Sequence, residues 1–133
     1  DISELYDLFQ ERKDCFFVLC DIKQMISINE ISQKAGDLAI LEQMRRMTSA
    51  AGEEDIVFRI GGDEFCILTA SSESAYAQQI ADRIRRMNNQ TFSYEEQEIP
   101  LVLHVAVANL QECQRYEEVF AGLHKALQSG KSS

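Results

Sequence analysis

The sequence predicts an α/β (α+β) sandwich in which helices flank a central, mainly antiparallel sheet, close to the ferredoxin-like split arrangement. Three observations support this fold class. Short apolar runs of strand character alternate with segments whose apolar residues recur at helical spacing. The 133 residues are 45% hydrophobic and 26% charged, which is the balance of a soluble globular protein. No internal repeat, low-complexity segment or linker divides the chain, so we expect one domain.

The first predicted strand covers residues 15–20, a short and almost wholly apolar run that suits a central strand buried on both faces. Asp21 ends this run, and the chain then leads into a helix that carries Ile28 and Asn29. A longer helix follows, whose apolar residues we expect to fill the core: Ile40, Met44, Met47 and Ala51.

Two further apolar runs flank a tight turn, Gly61-Gly62-Asp63-Glu64, and so predict a hairpin. Adjacent glycines adopt backbone angles closed to other residues and let a ligand approach the main chain. The two acids project from the hairpin tip, where a divalent cation could reach them. The four residues alone are more typical of an ordinary polar turn than of a functional site. The Phe65 that follows them and the upstream Asp21 favour a functional site.

The remaining elements are a helix, two strands and a last helix. The first of these helices has an apolar face made of Ala77, Ile80, Ala81, Ile84 and Met87. Residues 91–94 and 98–110 predict two strands around an acidic turn. The last helix has an apolar stripe made of Tyr116, Val119, Phe120, Leu123, Ala126 and Leu127.

The formal net charge of −9 argues against a nucleic-acid-binding surface, which would need a basic face. A polyanionic substrate would therefore need its own metal and local donors. The sequence contains no apolar stretch of transmembrane length and no signal peptide. The four cysteines, at positions 15, 20, 66 and 113, have no C-x-x-C spacing, and we expect buried free thiols in a reducing cytoplasm. His104 and His124 have no ligand pattern around them, and we expect both to be structural.

Asp21 and Asp63 are candidates for a shared cation site. An acid at the carboxyl end of a buried strand lies where open sheets form ligand sites. If the hairpin pairs beside the first strand, the two acids meet. Their oxygens and a backbone carbonyl would then form a hard-cation site of the kind that holds magnesium on nucleotide phosphates.

These residues resemble the GGDEF domain, the catalytic module of bacterial diguanylate cyclases, and the similarity extends over nearly the whole chain. The signature itself, Gly61 to Phe65, is complete. Gly36-Asp37 matches the family's G-D at the start of the long helix, and the segment between residues 28–30 and this pair is one residue shorter than in the family. Residues 2–7 are similar to the family's L-T-G-L-Y-N, residues 21–23 to its D-x-D and residues 28–30 to its I-N-D. Residues 101–108 stand where the family has V-T-I-S-I-G-V-A, and residues 129–131 where it has S-G-R.

The resemblance implies a palm-like core and the magnesium-dependent condensation of two GTP into cyclic di-GMP and pyrophosphate. It implies that Asp21 and the carbonyl of Ile22 bind Mg²⁺, with Mn²⁺ as a substitute, and that Asp63 and Glu64 complete the site. One of these two hairpin acids would also help to deprotonate the attacking 3′-hydroxyl.

The resemblance also implies a substrate site and partners. Asn29 and Asp37 would read guanine, Gly62 would approach the substrate through its backbone, and amides of residues 23–26 would cradle the phosphates. Catalysis would need an antiparallel homodimer with one GTP in each subunit. We expect residues 1–133 to be one cytoplasmic GGDEF domain of a longer signalling protein with an upstream sensory or regulatory domain; whether that protein is attached to a membrane stays open at this point.

Several positions depart from the family pattern. Ile26 and Leu127 stand where the family has phosphate-binding lysines, and Lys131 replaces an arginine. Lys23 replaces an acid and is a candidate phosphate contact. The product-binding R-x-x-D motif is reduced to residues 52–55 without its arginine, so product inhibition there is not expected. Two readings stay open: a diguanylate cyclase, weak in activity, or a degenerate regulatory domain that binds GTP or a protein partner without turnover.

Overall fold

The computed structural model describes residues 15–109. The predicted first and last helices lie outside this range, as do Cys113, His124, Leu127 and Lys131. The elements along the described chain are β1 (Phe16–Ile22), α1 (Met25–Ile31), α2 (Gln33–Ala50), β2 (Ile56–Gly61), β3 (Glu64–Leu68), α3 (Ser74–Arg86), β4 (Thr91–Tyr94), β5 (Gln97–Pro100) and β6 (Leu103–Asn109).

The described strands form a four-stranded sheet in the order β2-β3-β1-β6 and a separate β4-β5 hairpin. Every neighbouring pair is antiparallel. This arrangement confirms the predicted α+β fold with an antiparallel sheet flanked by helices. As predicted, β1 is an inner strand buried on both faces, but it extends one residue beyond Asp21, to Ile22.

Helices α2 and α3 pack on the face of the sheet that carries Val18, Cys20 and Ile22. The predicted apolar face of α3 is confirmed, since Ala77, Ile80, Ala81 and Ile84 are fully buried. The α2 prediction is wrong at one position: Met47 is buried, but Met44 is 40% exposed because it lies on the side of the helix that faces away from the core. No helix within residues 15–109 is long and apolar enough to cross a membrane.

The single strand predicted at residues 98–110 is in fact two strands, β5 and β6. Pro100 ends β5, and proline has no N–H with which to continue a ladder. The next backbone groups bond elsewhere: the amide of Leu101 donates to Gln90 O at 3.1 Å, and its carbonyl accepts from the amide of Asn89 at 3.2 Å. The chain therefore leaves the hairpin at Leu101 before it joins the larger sheet as β6.

Cys15, Cys20 and Cys66 are buried free thiols, as the sequence predicted for them. Burial disfavours the thiolate, which raises the pKa of Cys20 to about 12 and raises that of Cys66 well above its usual range. Cys20 and Cys66 therefore behave as small core residues at neutral pH and not as nucleophiles.

A fully buried arginine ties α2 to the segments that flank the β4-β5 hairpin. Arg46 Nη1 donates to Leu101 O at 2.8 Å, and Nη2 donates to Gln90 O at 2.7 Å. Burial lowers the pKa of Arg46, an effect opposed by Glu42, whose Oε1 lies 3.9 Å from Arg46 Nε. The charge is thus held inside the protein by two carbonyls and one carboxylate.

We expect Arg46→Met to lower the free energy of unfolding by about 1.5–3 kcal/mol, because two buried carbonyls lose a charged donor. Urea unfolding followed by circular dichroism would measure this loss. Arg45→Met is the matched control, since Arg45 pairs with Glu42 at the surface, and we expect it to change stability by less than about 0.5 kcal/mol. Equal losses in the two variants would contradict a tethering role for Arg46.

Candidate functional site

The tip of the β2-β3 hairpin is a tight loop with a defined geometry. Gly61 pairs with Glu64, which leaves Gly62 and Asp63 as the loop. Gly62 has a φ of 51°, in the left-handed region that favours glycine. Arg59 Nε donates to Gly62 O at 2.8 Å, and the same guanidinium lies 5.8 Å from the ring centroid of Phe65. The tip is therefore fixed by contacts from its own strands.

The hairpin lies beside β1, so the two candidate acids are on neighbouring strands as expected. Cys20 is opposite Phe65 in the β1-β3 register. The amide of Ile22, directly after Asp21, donates to Asp63 Oδ2 at 2.8 Å. The carboxylate of Asp63 thus bonds to the end of β1 and fixes the hairpin tip there.

Asp21 is fully buried, and one of its polar contacts was not predicted. Asp21 lies directly opposite His104 in the β1-β6 pairing, and Asp21 Oδ1 is 3.0 Å from His104 Nδ1. No ligand pattern surrounds His104 in the sequence. Only the cross-strand register, applied to the segment similar to V-T-I-S-I-G-V-A, could have indicated that this imidazole contacts the candidate metal-binding acid.

A cleft of about 430 Å³ opens beside the hairpin tip. Four predicted site residues line it: Asn29, Asp37, Gly62 and Asp63. The rest of its lining is Met25, Gln33 and Ile40. Glu64, Ile22 and Asp21 are not among the lining residues, and Lys23 is exposed at the end of β1. The structure thus joins the predicted base-reading residues to the hairpin acid Asp63 in one concave site.

Local structure explains how Asn29 reaches the cleft. Ser32 separates α1 from α2 and caps α2, with its Oγ accepting from the amide of Ala35 at 3.0 Å. Gly36, in the first turns of α2, lies against the Asn29 side chain: a Cβ on Gly36 would be only 1.9 Å from Asn29 Oδ1. The absence of a side chain at position 36 therefore lets the Asn29 amide lie against the helix.

The predicted phosphate-binding end needs one correction. The amide of Lys23 donates to Val102 O at 2.9 Å, so it is not available for the predicted phosphate cradle. The reason is that the chain beside the start of β6 approaches the end of β1, a contact that the sequence did not indicate. Ile26, where the family has a lysine, is 77% exposed. This end of the site presents an apolar side chain to solvent.

The chemistry of the donor set fits a hard divalent cation that arrives with phosphates. No group of three or more His, Cys, Asp or Glu side chains within residues 15–109 is arranged to hold a metal ion. Magnesium, however, is usually held by one or two carboxylates together with substrate phosphates. Asp63 provides a carboxylate at the cleft, whereas the carboxylate of Asp21 is fully buried and contacts His104.

In residues 52–55, the remnant of the product-binding motif, Asp55 makes hydrogen bonds within the protein. Asp55 Oδ2 accepts from the amide of Gly52 and from Tyr76 Oη, each at 2.6 Å, while Oδ1 accepts from the amide of Ala70 at 2.8 Å. The hydrogen bond to Asp55 raises the pKa of Tyr76. Both oxygens of Asp55 are thus engaged in holding the α2-β2 connection to β3 and α3.

The fold and the site define a palm-like α+β domain with an acidic hairpin beside a nucleotide-sized cleft. A family model described as "Diguanylate cyclase, GGDEF domain" matches residues 2–133. The chain therefore belongs to the GGDEF domain family of diguanylate cyclases, a family of nucleotidyltransferase-type enzymes, as the sequence resemblance predicted.

Individual relatives agree with this assignment. The chain is 31% identical over 85 residues to the probable diguanylate cyclase DgcJ of Escherichia coli, covering 63% of this chain and 17% of DgcJ. It is 24% identical over 127 residues to diguanylate cyclase A of Treponema denticola, covering 92% of this chain and 34% of the relative. The chain thus spans a minor part of these relatives.

Solved structures agree on the fold. The GGDEF domain of PA1120 (TpbB or YfiN) from Pseudomonas aeruginosa superimposes with a TM-score of 0.85 at 23% identity, covering 98% of this chain and 81% of that chain. At this identity the similarity establishes the palm-like fold alone.

We expect Gly36→Ala to force the Asn29 side chain to rotate away from α2, because the added methyl group and Asn29 Oδ1 cannot both occupy the present positions. The side-chain amide signals of Asn29 in a ¹⁵N correlation spectrum would report the change. The fold should persist, since alanine is the better helix former. Gly61→Ala is the control, because a Cβ at Gly61 would meet no atom within 4 Å. Unchanged Asn29 signals in Gly36→Ala would contradict the packing described above.

Proposed function

We propose that this domain is a diguanylate cyclase, which condenses two GTP into cyclic di-GMP with release of two pyrophosphates. The single observation that carries the proposal is the cleft that joins Asn29 and Asp37 to the hairpin acid Asp63. One end has groups suited to a guanine base, and the other has the carboxylate that phosphoryl chemistry requires.

The base-reading end favours guanine by its hydrogen-bonding capacity. The Watson–Crick edge of guanine has two adjacent N–H donors and one carbonyl acceptor. The Asp37 carboxylate accepts two hydrogen bonds, and the Asn29 amide both donates and accepts. The corresponding edge of adenine has a ring nitrogen acceptor that a carboxylate would repel. Met25 and Ile40 provide apolar surface for the faces of the ring.

At the reacting end, Asp63, Glu64, Asp21 and the carbonyl of Ile22 would hold Mg²⁺ or Mn²⁺. The bound cation would neutralise charge on the phosphates. A hairpin carboxylate, Asp63 or Glu64, accepts the proton of the 3′-hydroxyl. The 3′-oxygen then bonds to the α-phosphorus of the second GTP as the bond to pyrophosphate breaks. The same exchange in the opposite direction closes the ring, so two subunits must face each other with one GTP each.

Incubation of concentrated protein with GTP and Mg²⁺, followed by chromatography for cyclic di-GMP, tests this proposal. Asp63→Asn should abolish product formation and Mg²⁺-dependent GTP binding, because the asparagine side chain carries no charge. The hairpin should keep its position, since the asparagine oxygen can still accept a hydrogen bond from the amide of Ile22. Asp82→Asn, at an exposed position on α3, is the control and should retain both. Equal GTP affinity for Asp63→Asn and the parent, measured by calorimetry with Mg²⁺, would rule out the metal role.

A second candidate function is a degenerate GGDEF domain that binds GTP or a protein partner without turnover. The exposed Ile26 favours this reading, since it contributes no charge where the family has a phosphate-binding lysine. Product detection in the assay above separates the two functions. Binding of GTP without product formation would support the second.

We expect Ile26→Lys to raise GTP affinity by about tenfold, because a charged contact to phosphate is worth about 1.5 kcal/mol or more. Ile31→Lys adds the same charge to the same helix at an exposed position and should raise affinity much less. Calorimetry with Mg-GTP compares the two variants. Equal gains would indicate a general effect of net charge, and no gain in either would show that the missing lysine is not the limiting defect. Leu127→Lys can be added to restore the second family lysine.

The domain would work within a longer protein. Support comes from the matched relatives, of which this chain spans 17% and 34%. We propose an upstream sensory or regulatory domain that controls pairing of two GGDEF domains, with the GGDEF domain in the cytoplasm, where GTP is available. Residues 1–133 would form the single catalytic domain of that protein.

A further inference from the structure

Gln43 is a fully buried amide in the middle of α2, directly beneath the candidate site. Burying an amide is unfavourable unless it makes hydrogen bonds. Gln43 Nε2 donates to Asp63 O at 2.7 Å and lies 3.3 Å from Cys20 O. The side chain therefore contacts main-chain carbonyls on two different segments, the hairpin tip and β1.

The two carbonyls belong to the segments that carry the candidate acids. One is the carbonyl of Asp63 itself, and the other belongs to Cys20, the residue before Asp21. The same two segments are also joined by the hydrogen bond from the amide of Ile22 to Asp63 Oδ2. The Gln43 side chain, on α2, thus makes a second connection between the two segments that the Ile22–Asp63 hydrogen bond joins.

The orientation of the Gln43 amide is determined by its surroundings. The two nearest neighbours are carbonyl oxygens, and Cys20 Sγ lies further away, at 3.7 Å from Nε2. Only the NH₂ end of the amide can donate to the carbonyls. The other end, Oε1, is buried and accepts no hydrogen bond from the described residues. An apolar side chain of similar volume would fill this position without burying an unbonded oxygen. Packing alone therefore does not explain an amide here, whereas donation to the two carbonyls does.

We propose that Gln43 is a positioning residue that fixes the Asp63 hairpin tip against the end of β1 and so sets the relative position of the two candidate acids. The use of this geometry for a cation and GTP rests on the proposed function. The positioning itself is a property of the protein without ligand.

The parent protein offers a direct test. The side-chain amide protons of Gln43 should be strongly protected from hydrogen exchange, and those of the exposed Gln78 and Gln79 on α3 are internal references. NMR on the ligand-free protein would measure these rates. Exchange of Gln43 as fast as that of Gln78 would show that the bonds are absent and would overturn the inference.

Gln43→Met keeps the volume and removes the donor. We expect the backbone amide of Ile22, which donates to Asp63 Oδ2, to exchange about three to ten times faster, the scale of one lost hydrogen bond. Ile80→Val, a truncation in the core on α3, is the control for a general loss of stability. It should not accelerate Ile22 relative to the other amides of β1. An equal effect in both variants would overturn the inference.

Calorimetry with Mg-GTP then connects positioning to the proposed function. Gln43→Met should bind Mg-GTP several-fold more weakly than Ile80→Val. If the parent protein binds no Mg-GTP, the proposed function fails, while the exchange rates of Ile22 and Gln43 still decide the positioning role. If Ile22 exchange is faster but Mg-GTP affinity is unchanged, the positioning has no consequence for the site, and that part of the inference is overturned.

Discussion

Cys20 lies opposite Phe65 across β1 and β3, and this register brings the amide of Ile22 to the carboxylate of Asp63 at 2.8 Å. A slip of one residue would reverse every side chain of β1 between the two faces of the sheet. Val18 and Cys20 would then leave the core beneath α2 and α3, and Asp63 would lose its contact at the end of β1. The core and the candidate site thus depend on the same pairing.

Helix α2 supports this pairing with buried polar groups as well as apolar ones. Gln43 and Arg46 are one turn apart and fully buried, and both donate to main-chain carbonyls. Gln43 contacts the hairpin tip, whereas Arg46 contacts the segments around β4 and β5. Such groups are tolerated inside a protein only where their hydrogen-bond partners are fixed. They therefore couple the position of α2 to the tip of the β2-β3 hairpin and to the segments on either side of the β4-β5 hairpin.

The two ends of the cleft have different chemistry. The end that carries Asn29 and Asp37 is well defined, because Gly36 leaves space for the asparagine amide against α2. The other end presents the exposed Ile26, and the amide of Lys23 is already bonded within the protein. With a net charge of −9, the chain supplies little long-range attraction for a triphosphate. Under the proposed function, we therefore expect base recognition to contribute more to GTP binding than phosphate contacts do.

The sequence by itself determined the family and most of the elements within residues 15–109. Apolar periodicity located β1, the strands of the β2-β3 hairpin and the three helices of the described range, because these patterns act over a few residues. The Gly61–Phe65 signature indicated the family. The tertiary structure decided which residues distant in the sequence contact each other. The contact between Asp21 and His104 joins residues 83 positions apart, and that between Gln43 and Cys20 joins residues 23 apart. Strand register and helix packing create these contacts, and neither leaves a local pattern in the chain. The break after Pro100 did have a local signal, because proline cannot continue a strand ladder. The exposure of Met44, in contrast, emerged only from the fold, because it depends on which distant segments pack against α2.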